Sequence, residues 1–285
     1  MEGRQRTRVG LRRAQLGVQA HCLRREMAVD FPGTLGRVNA LGIGRIEMCS
    51  FPGCRGNPWG DFGELADWSA GRIRDELATA ELDCVGTHFA AKELAGDELE
   101  AAIRWARDIN SPAIVLGGLR QAADADGASW RAAFESLNEI GRRVADHGLD
   151  FAYHTQNDVW CTVGGTLLAE ELFRIVDPEL CHIELDPSGA LVFGVDWTAS
   201  VRQNPGRFFA MHLRDGSRPD HEVRYLPALP LGEGDVDWRQ AIDAAVAAEI
   251  PLYILEMEVD ADRDPFDALL SSLGFLESLH FVDKG

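Results

Sequence analysis

The chain has 285 residues, of which 46% are hydrophobic, and its formal net charge is −18. This length and apolar content are compatible with one large α/β domain. A strongly acidic chain without an opposing basic face is not expected to bind nucleic acid. No apolar run approaches the ~20 residues that a membrane-spanning helix needs, so the sequence predicts no membrane partner.

The positive charge is concentrated at the start of the chain. Seven Arg and one Glu lie among residues 1–25, which leaves a net charge of −24 on the remainder. This start lacks the apolar segment of a secretory signal. We predict a disordered basic leader over residues 1–13 and one domain over residues 14–285. A targeting segment or a nucleic-acid-binding arm is the alternative.

The six cysteines include no CxxC pair. Two of them, Cys84 and Cys181, fall inside predicted strands, where a free thiol acts as a small hydrophobic group. The sequence therefore predicts a protein of the reducing cytoplasm without a disulfide framework. Cys49 and Cys54 are spaced so that they could pair, but this spacing alone is not specific.

Short apolar runs alternate with amphipathic segments along the whole chain. The predicted strands are residues 16–20, 44–49, 82–88, 113–117, 150–154, 181–185, 208–213 and 251–256. The predicted helices are residues 26–41, a segment ending near residue 80, and residues 98–108, 129–146, 166–176, 196–204, 236–248 and 265–279. Strict alternation of eight strands and eight helices predicts the α/β class, as a single-domain (β/α)8 TIM barrel. A doubly wound open sheet is the alternative, but it normally has a Gly-rich turn after its first strand, and Gln19-Ala-His-Cys-Leu is not such a turn.

Ionisable side chains end six of the predicted strands. In a parallel barrel the carboxyl ends of the strands are the usual place for catalytic groups. If the last inward-facing residue of each strand lines the barrel mouth, the set is Glu47, His88, His154, Asp186, His212 and Glu256. Alternate residues of a strand face the same side, so Glu184 and Glu258 are equally acceptable as the functional acids.

Several buried acids in one place predict a bound cation, because burying carboxylates together without compensation costs free energy. A set of two imidazoles and two carboxylates suits Mn, Fe, Co or Zn better than Mg or Ca, which prefer all-oxygen ligands.

These strand ends and the loops between them resemble the sugar phosphate isomerase/epimerase family, the xylose isomerase-like TIM barrels. The resemblance covers nearly the whole chain after the leader. It is carried by Asp30-Phe-Pro-Gly-Thr-Leu with Gly44-Arg-Ile-Glu47, Phe151-Ala-Tyr-His154-Thr-Gln156-Asn, Ile183-Glu-Leu-Asp186, Arg207-Phe-Phe-Ala-Met-His212-Leu-Arg-Asp215, Gly232-Glu-Gly-Asp-Val-Asp-Trp238 and Leu255-Glu256-Met-Glu258.

The resemblance implies one divalent metal ion, most typically Mn²⁺, with Co²⁺, Fe²⁺, Zn²⁺ or Mg²⁺ as alternatives. The implied ligands are His154, Asp186, His212 and Glu256. Two features depart from the family pattern. Gln156 stands where a second His occurs in one subgroup, and no His follows the acid in Asp186-Pro-Ser-Gly. An extended loop over residues 219–230 also leaves the identity of the substrate open.

The activity implied by the resemblance is isomerisation or epimerisation of a sugar, keto-sugar or cyclitol through an enediolate. Glu256 is then the expected base and His154 or His88 its partner, with Glu47, Gln156 and Arg218 as substrate-binding residues. A lyase or dehydratase using the same enolate is the near alternative. The more distant alternatives are DNA-lesion endonuclease activity and a non-catalytic sugar-binding or subunit-partner barrel. The sequence also leaves a homo-oligomer possible.

Overall fold

A computed structural model describes residues 13–55, 62–119, 121, 125–155, 157–218, 227–259 and 263–281. Eight parallel strands close into a barrel with helices between them, which confirms the predicted TIM barrel. The barrel strands are β1 (Leu16–Gln19), β2 (Arg45–Cys49), β3 (Asp83–Phe89), β4 (Ala113–Leu116), β5 (Asp150–His154), β8 (His182–Leu185), β9 (Phe208–Leu213) and β10 (Tyr253–Leu255). Two short strands, β6 (Thr162–Val163) and β7 (Thr166–Leu167), form a separate antiparallel hairpin after β5.

The barrel strands are arranged in chain order, and the last one pairs with the first. The pairs Leu16 with Tyr253 and Val18 with Leu255 close the barrel. All eight strand pairs are parallel, and the strands are almost entirely buried. A parallel barrel covered by helices buries both faces of its strands, which is why these runs are nearly continuous apolar sequence.

The helices that the structure describes surround this barrel. Those of six or more residues are α1 (Arg24–Val29), α2 (Phe31–Ala40), α4 (Ala70–Thr79), α5 (Glu98–Asp108), α6 (Gly127–Ala145), α7 (Leu168–Ile175), α8 (Ser188–Phe193), α9 (Trp197–Gln203), α10 (Trp238–Ala247) and α11 (Pro265–Ser278); α3 (Phe51–Cys54) is a single turn. In α6 the buried side chains include Trp130, Phe134 and Leu137, spaced as one face of a helix. Within the described residues no helix combines the length and apolar character needed to cross a bilayer.

The segment predicted as one helix over residues 26–41 is two helices, because the chain turns at Asp30. Its backbone is non-helical, at φ −147°, and its side chain accepts a hydrogen bond from the Gly33 amide. Pro32 lies in the first turn of α2, where the missing amide hydrogen of proline costs nothing. An N-cap followed by proline is a sequence signal for a helix start that the apolar periodicity alone did not reveal.

Only the last residue of the predicted leader lies among the described residues. The Arg13 guanidinium donates to the Leu41 carbonyl at 3.2 Å and lies 3.9 Å from the Glu277 carboxylate. Residues 1–12 lie outside the described residues. The leader and the limits of the domain therefore remain predictions, with Arg13 packed against the barrel.

The strand register places the polar strand ends together at one mouth of the barrel. Gln19 pairs with Glu47 between β1 and β2, and His154 pairs with Glu184 between β5 and β8. Two register shifts interrupt the pairing, one between Ile46 and Glu47 and one between Ile183 and Glu184. Each shift immediately precedes a buried glutamate, and a local irregularity of this kind changes the direction of a side chain.

Candidate metal centre

Three imidazoles from different strands converge at the carboxyl ends of the barrel. His88 is the second-to-last residue of β3, His154 is the last residue of β5, and His212 lies in β9. The ring centroids of His154 and His212 are 4.6 Å apart, and that of His88 lies 5.1 Å from His154 and 5.7 Å from His212. All three belong to the strand-end set predicted from the sequence.

The carboxylate of Glu184 occupies the centre of these imidazoles. Its Oε2 lies 2.7 Å from His88 Nε2, 2.9 Å from His154 Nδ1 and 3.2 Å from His212 Nε2. Glu184 is completely buried. It faces the same side of the strand as Asp186, and the sequence left the choice between them open.

Glu47 supports the same cluster from below. Its Oε2 lies 3.0 Å from His212 Nε2 and 3.2 Å from His88 Nε2, and it accepts a hydrogen bond of 2.7 Å from Gln19 Nε2. The side-chain amide oxygen of Gln19, Oε1, in turn accepts a hydrogen bond from the Cys49 thiol at 3.3 Å. A side chain at Gly86 would crowd Glu47, since an added Cβ would lie 3.3 Å from Glu47 Oε1.

Two buried oxygens of this cluster, Glu47 Oε1 and Glu184 Oε1, have no hydrogen-bond partner among the residues that the structure describes. A buried acceptor without a partner costs about 1–3 kcal/mol, and more when it is charged. Both atoms belong to completely buried carboxylates. They are acceptors that a cation would satisfy.

The imidazoles and carboxylates of the cluster shift one another's pKa values towards the charged forms. Burial alone would lower the pKa of His88, but the carboxylates of Glu47 and Glu184 outweigh it and raise that pKa to about 10. The pKa of His212 is raised well above its ordinary value for the same reason, its acidic neighbours outweighing burial. Burial would raise the pKa of Glu184, but the surrounding imidazoles hold it well below the ordinary range. Glu184 is therefore ionised at neutral pH.

Glu256, immediately after β10, lies on the side of His212 away from Glu47. Its Oε2 is 2.7 Å from His212 Nδ1, whereas His212 Nε2 faces Glu47 and Glu184. Burial opposes ionisation of Glu256, but the hydrogen bond from His212 and the nearby cationic groups lower its pKa. Its side chain keeps 17% exposure, so an ionised carboxylate borders the opening of the site.

Asp186 lies beside the cluster rather than within it, with its oxygens engaged by other groups. Oδ2 accepts from the Arg214 guanidinium at 2.5 Å, and Oδ1 accepts from the amide and hydroxyl of Ser188 at 2.9 and 2.7 Å. The nearest imidazole nitrogen, His154 Nε2, is 3.9 Å from Oδ2. Arg214 and Asp186 are both buried, so this is an ion pair inside the protein.

The remaining predicted substrate residues lie away from this centre or outside the description. Arg218 is exposed, and its backbone amide donates to Asp235 Oδ2 at 2.7 Å. Gln156 lies outside the described residues, as do residues 219–226 of the extended loop. Gln19 and Arg214 were not predicted. The signal for Arg214 was present, since it lies two residues after His212 and faces the same side of the strand.

The residues present fit one divalent metal ion. The ligand atoms of His88, His154, Glu184 and His212 all lie within 4.8 Å of one another. Imidazole nitrogen together with carboxylate oxygen is a donor set that suits Mn, Fe, Co and Zn. The partnerless oxygens of Glu47 and Glu184 agree with a site that is completed by a cation.

Comparison with known proteins agrees with this architecture. The family model for the xylose isomerase-like TIM barrel matches residues 37–279, whereas no curated protein gives a significant match. A sugar phosphate isomerase/epimerase from Parabacteroides distasonis ATCC 8503 is 18% identical with a TM-score of 0.74, over 98% of this chain and 97% of that one. The IOLI protein with a bound zinc atom is 13% identical with a TM-score of 0.72, over 93% and 97%. The probable 3-DHS dehydratase AsbF from Bacillus anthracis is 15% identical with a TM-score of 0.68, over 92% and 98%. At these sequence identities, the similarities to solved structures show the fold alone. Because the family model spans most of the sequence, the chain belongs to the xylose isomerase-like TIM barrel family.

Proposed function

We propose that this chain is a divalent-metal-dependent isomerase or epimerase whose substrate is a sugar, a keto-sugar or a cyclitol. The observation that carries the proposal is the buried group of imidazoles and carboxylates at the carboxyl ends of the strands, where this barrel places catalytic groups. The similarity of fold to a sugar phosphate isomerase/epimerase supports carbohydrate as the substrate class.

The cation would be held at this cluster. Two of the four ligands implied by the sequence, His154 and His212, lie within it. When bound, the metal supplies a Lewis acid that stabilises negative charge on a substrate oxygen. Mn²⁺ is our first choice, and Co²⁺, Fe²⁺ and Zn²⁺ accept the same ligands, whereas Mg²⁺ suits them less. The zinc atom in the IOLI structure supports a site of this type.

Glu256 is the proposed base for removing a proton from carbon. Its hydrogen bond to His212 orients the carboxylate, its lowered pKa keeps it ionised, and its partial exposure lets it reach a bound substrate. A general base at carbon typically contributes a rate factor of about 10²–10⁴. His88 is the proposed partner, because its side chain is 17% exposed and that of His154 only 9%.

Three further residues, at different depths, are proposed to act on substrate binding directly or through the imidazoles. Glu47 is completely buried beneath the imidazoles, so it would act on the substrate by orienting His88 and His212. Arg218, which is exposed, would contact a substrate oxygen. Gln156, which follows β5 after one residue, is proposed from its sequence position alone.

The test is exchange of a carbon-bound proton with solvent. The metal-loaded protein is incubated in D₂O with a panel of keto-sugars and an inosose, and deuterium is followed by NMR. We expect deuterium at the carbon next to the carbonyl, and loss of this activity by about 10²–10⁴-fold in Glu256→Gln. Product formed without deuterium by a fully active Glu256→Gln protein would contradict the mechanism.

Glu258→Gln is the matched control for this experiment. Glu258 lies two residues beyond Glu256, and its carboxylate is 3.6 Å from the Arg24 guanidinium. The exchange rate of this variant should stay within about threefold of wild type, since a partly exposed ion pair contributes little. An equal loss in both variants would remove the assignment of Glu256.

The same assay separates the alternatives. A dehydratase removes the same proton but then expels water, so an unsaturated product replaces the isomer; similarity of fold to a probable 3-DHS dehydratase makes this the second candidate. A non-catalytic sugar-binding barrel would bind members of the panel without exchange. An endonuclease would require affinity for DNA, which the net charge of −18 opposes.

A further inference from the structure

We propose that Cys54 and Cys49 form a peroxide-sensitive modification site, in which oxidation joins the two sulfurs in a reversible disulfide bond. All six cysteines are free thiols in this structure. These two lie at the carboxyl end of β2, on the rim of the barrel mouth, since Cys49 ends β2 and Cys54 ends the turn α3. Formation of the bond does not depend on the proposed function; only its effect on activity rests on it.

The structure brings the two thiols together, which the spacing in the sequence alone does not establish. The Cys49 thiol has two acceptors within reach, Gln19 Oε1 at 3.3 Å and the Cys54 sulfur. The backbone makes this contact possible, because the Cys54 amide donates to the Ser50 carbonyl at 3.1 Å and so folds the chain back over the end of β2. Adjacent sulfurs are the first requirement for a disulfide bond.

The turn that carries Cys54 is held in place by polar contacts. Ser50 Oγ accepts from the Gly53 amide at 3.3 Å and donates to Glu93 Oε1 at 2.6 Å. Glu93 Oε2 accepts from the Ala90 amide at 2.9 Å. A side chain at Gly53 would collide with the Glu93 carboxylate, so glycine lets the turn approach the neighbouring loop. Cys54 is therefore fixed beside Cys49.

The two thiols differ in the properties that decide which one reacts first. The hydrogen bond from Cys49 lowers the pKa of Cys54; burial and Glu93 oppose this, and His88 and Lys92 support it. Cys54 is half-buried, whereas Cys49 is 6% exposed. Because the thiolate is the nucleophile and a reagent must reach it, Cys54 is the sulfur that a peroxide oxidises and Cys49 is the one that resolves it.

The oxidant is hydrogen peroxide or an organic hydroperoxide. The Cys54 thiolate attacks one peroxide oxygen, the O–O bond breaks, and the leaving oxygen takes a proton as water or an alcohol, which makes Cys54 a sulfenic acid. The Cys49 sulfur then attacks the Cys54 sulfur. An S–S bond forms, the S–O bond breaks, and the released hydroxide leaves as water with the Cys49 proton. Two thiols have lost two electrons, which the peroxide has accepted.

The bond would act on the candidate metal centre through Gln19. Gln19 Oε1 accepts from the Cys49 thiol and from the His21 amide at 3.2 Å, and its Nε2 donates to Glu47 beneath the imidazoles. A disulfide sulfur has no proton to donate, so Gln19 loses one of the contacts that orient it. We expect the proton-exchange rate to fall by about tenfold, the lower limit for losing a group that orients metal-binding side chains.

Peptide mass spectrometry of the full-length protein after treatment with hydrogen peroxide tests the proposal. Trypsin cleaves after Arg45 and Arg55, so residues 46–55 form one peptide that carries both thiols. This peptide should become lighter by two hydrogen atoms and resist iodoacetamide, and dithiothreitol should restore it. Met48 lies in the same peptide, but its oxidation adds an oxygen atom and therefore gives a different mass.

Cys84 is the matched control within the same sample. It is half-buried like Cys54, but burial raises its pKa to about 11. Residues 75–92 form a tryptic peptide with Cys84 as its one cysteine. Its oxidation should be at least about tenfold slower than that of Cys54, since the gain from a larger thiolate fraction exceeds the loss in nucleophilicity that accompanies a lower pKa.

Two variants separate the roles of the thiols, and circular dichroism establishes that each is folded. In Cys49→Ala, Cys54 should stop at the sulfenic acid, which dimedone traps. In Cys54→Ser, which changes a half-buried side chain by one atom, peroxide should leave residues 46–55 without a disulfide and the exchange rate unchanged.

Three results would overturn the proposal or its consequence. Oxidation of Cys84 as fast as Cys54, or a disulfide that joins two chains on a non-reducing gel, would remove the modification site. A disulfide between Cys49 and Cys54 that leaves the exchange rate unaltered would remove the coupling through Gln19. A wild-type protein without any exchange activity would instead refute the proposed function, while the peptide masses still decide whether the thiols pair.

Discussion

The buried ion pair between Arg214 and Asp186 allows a quantitative prediction of stability. Arg214 and Asp186 are 5% and 1% exposed, so replacing Arg214 by Met leaves a buried carboxylate without its cation. Removing one partner of a buried pair costs about 3–5 kcal/mol. The two hydrogen bonds that Asp186 keeps from Ser188 place the expected loss near the lower limit, at about 3 kcal/mol. In a chain of this size, 1 kcal/mol corresponds to about 2–4 °C, so the melting temperature should fall by about 6–12 °C.

Urea unfolding of four metal-free proteins measures this effect: wild type, Arg214→Met, Asp186→Asn and the double variant. A double-mutant cycle isolates the coupling between the two positions. Because exchange of a whole buried pair for uncharged groups is often nearly neutral, the double variant should recover most of the stability lost in Arg214→Met.

The matched control is Arg263→Met. Arg263 forms an equally short pair with Glu233, at 2.5 Å, but both side chains are more than a third exposed. Its loss should cost less than about 1 kcal/mol. The reasoning fails if Arg214→Met costs no more than Arg263→Met, or if the double variant is less stable than Arg214→Met.

Three further predictions concern the site, the thiols and the first residue of α10. His88→Gln should retain bound metal by elemental analysis while proton exchange at carbon falls by at least about 10²-fold; metal loss instead would make His88 a ligand. Iodoacetamide at neutral pH should modify Cys54 before Cys22, as measured by peptide mass spectrometry. The reason is that the Cys49 thiol lowers the pKa of half-buried Cys54, whereas burial raises the pKa of Cys22 to about 12. Equal rates of modification would contradict this. Trp238→Phe should lose about 1.5–3 kcal/mol in urea unfolding, since its indole nitrogen donates to the buried Asp215 carboxylate at 2.9 Å, and an unchanged midpoint would show that the hydrogen bond contributes nothing.

Much of the fold could be predicted because each βα unit is encoded locally. The apolar runs gave the barrel strands to within a few residues, and two of them, Asp150–His154 and Phe208–Leu213, match at both ends. The departures arise where a local signal competes with periodicity. Asp30 ends one helix and caps the next, and Thr166, predicted as helical, instead begins a strand of the β6–β7 hairpin. In that hairpin Gly164 and Gly165, both at positive φ, form the connection.

For the site, the sequence could predict which strand-end residues face inward, but not which partners each of them has. Alternation along a strand tells which residues face inward, and it correctly indicated that His88, His154 and His212 would meet. It cannot rank Glu184 against Asp186, because both face the same side and differ only in depth. Residues of other strands determine which partners the two acids have. Arg214, just after β9, forms an ion pair with Asp186. Glu184 lies at the register shift beside Phe209 and contacts the imidazoles. An arginine two residues after an inward-facing histidine faces the same side of the strand, so it is a usable sequence signal for a buried acid that pairs with it.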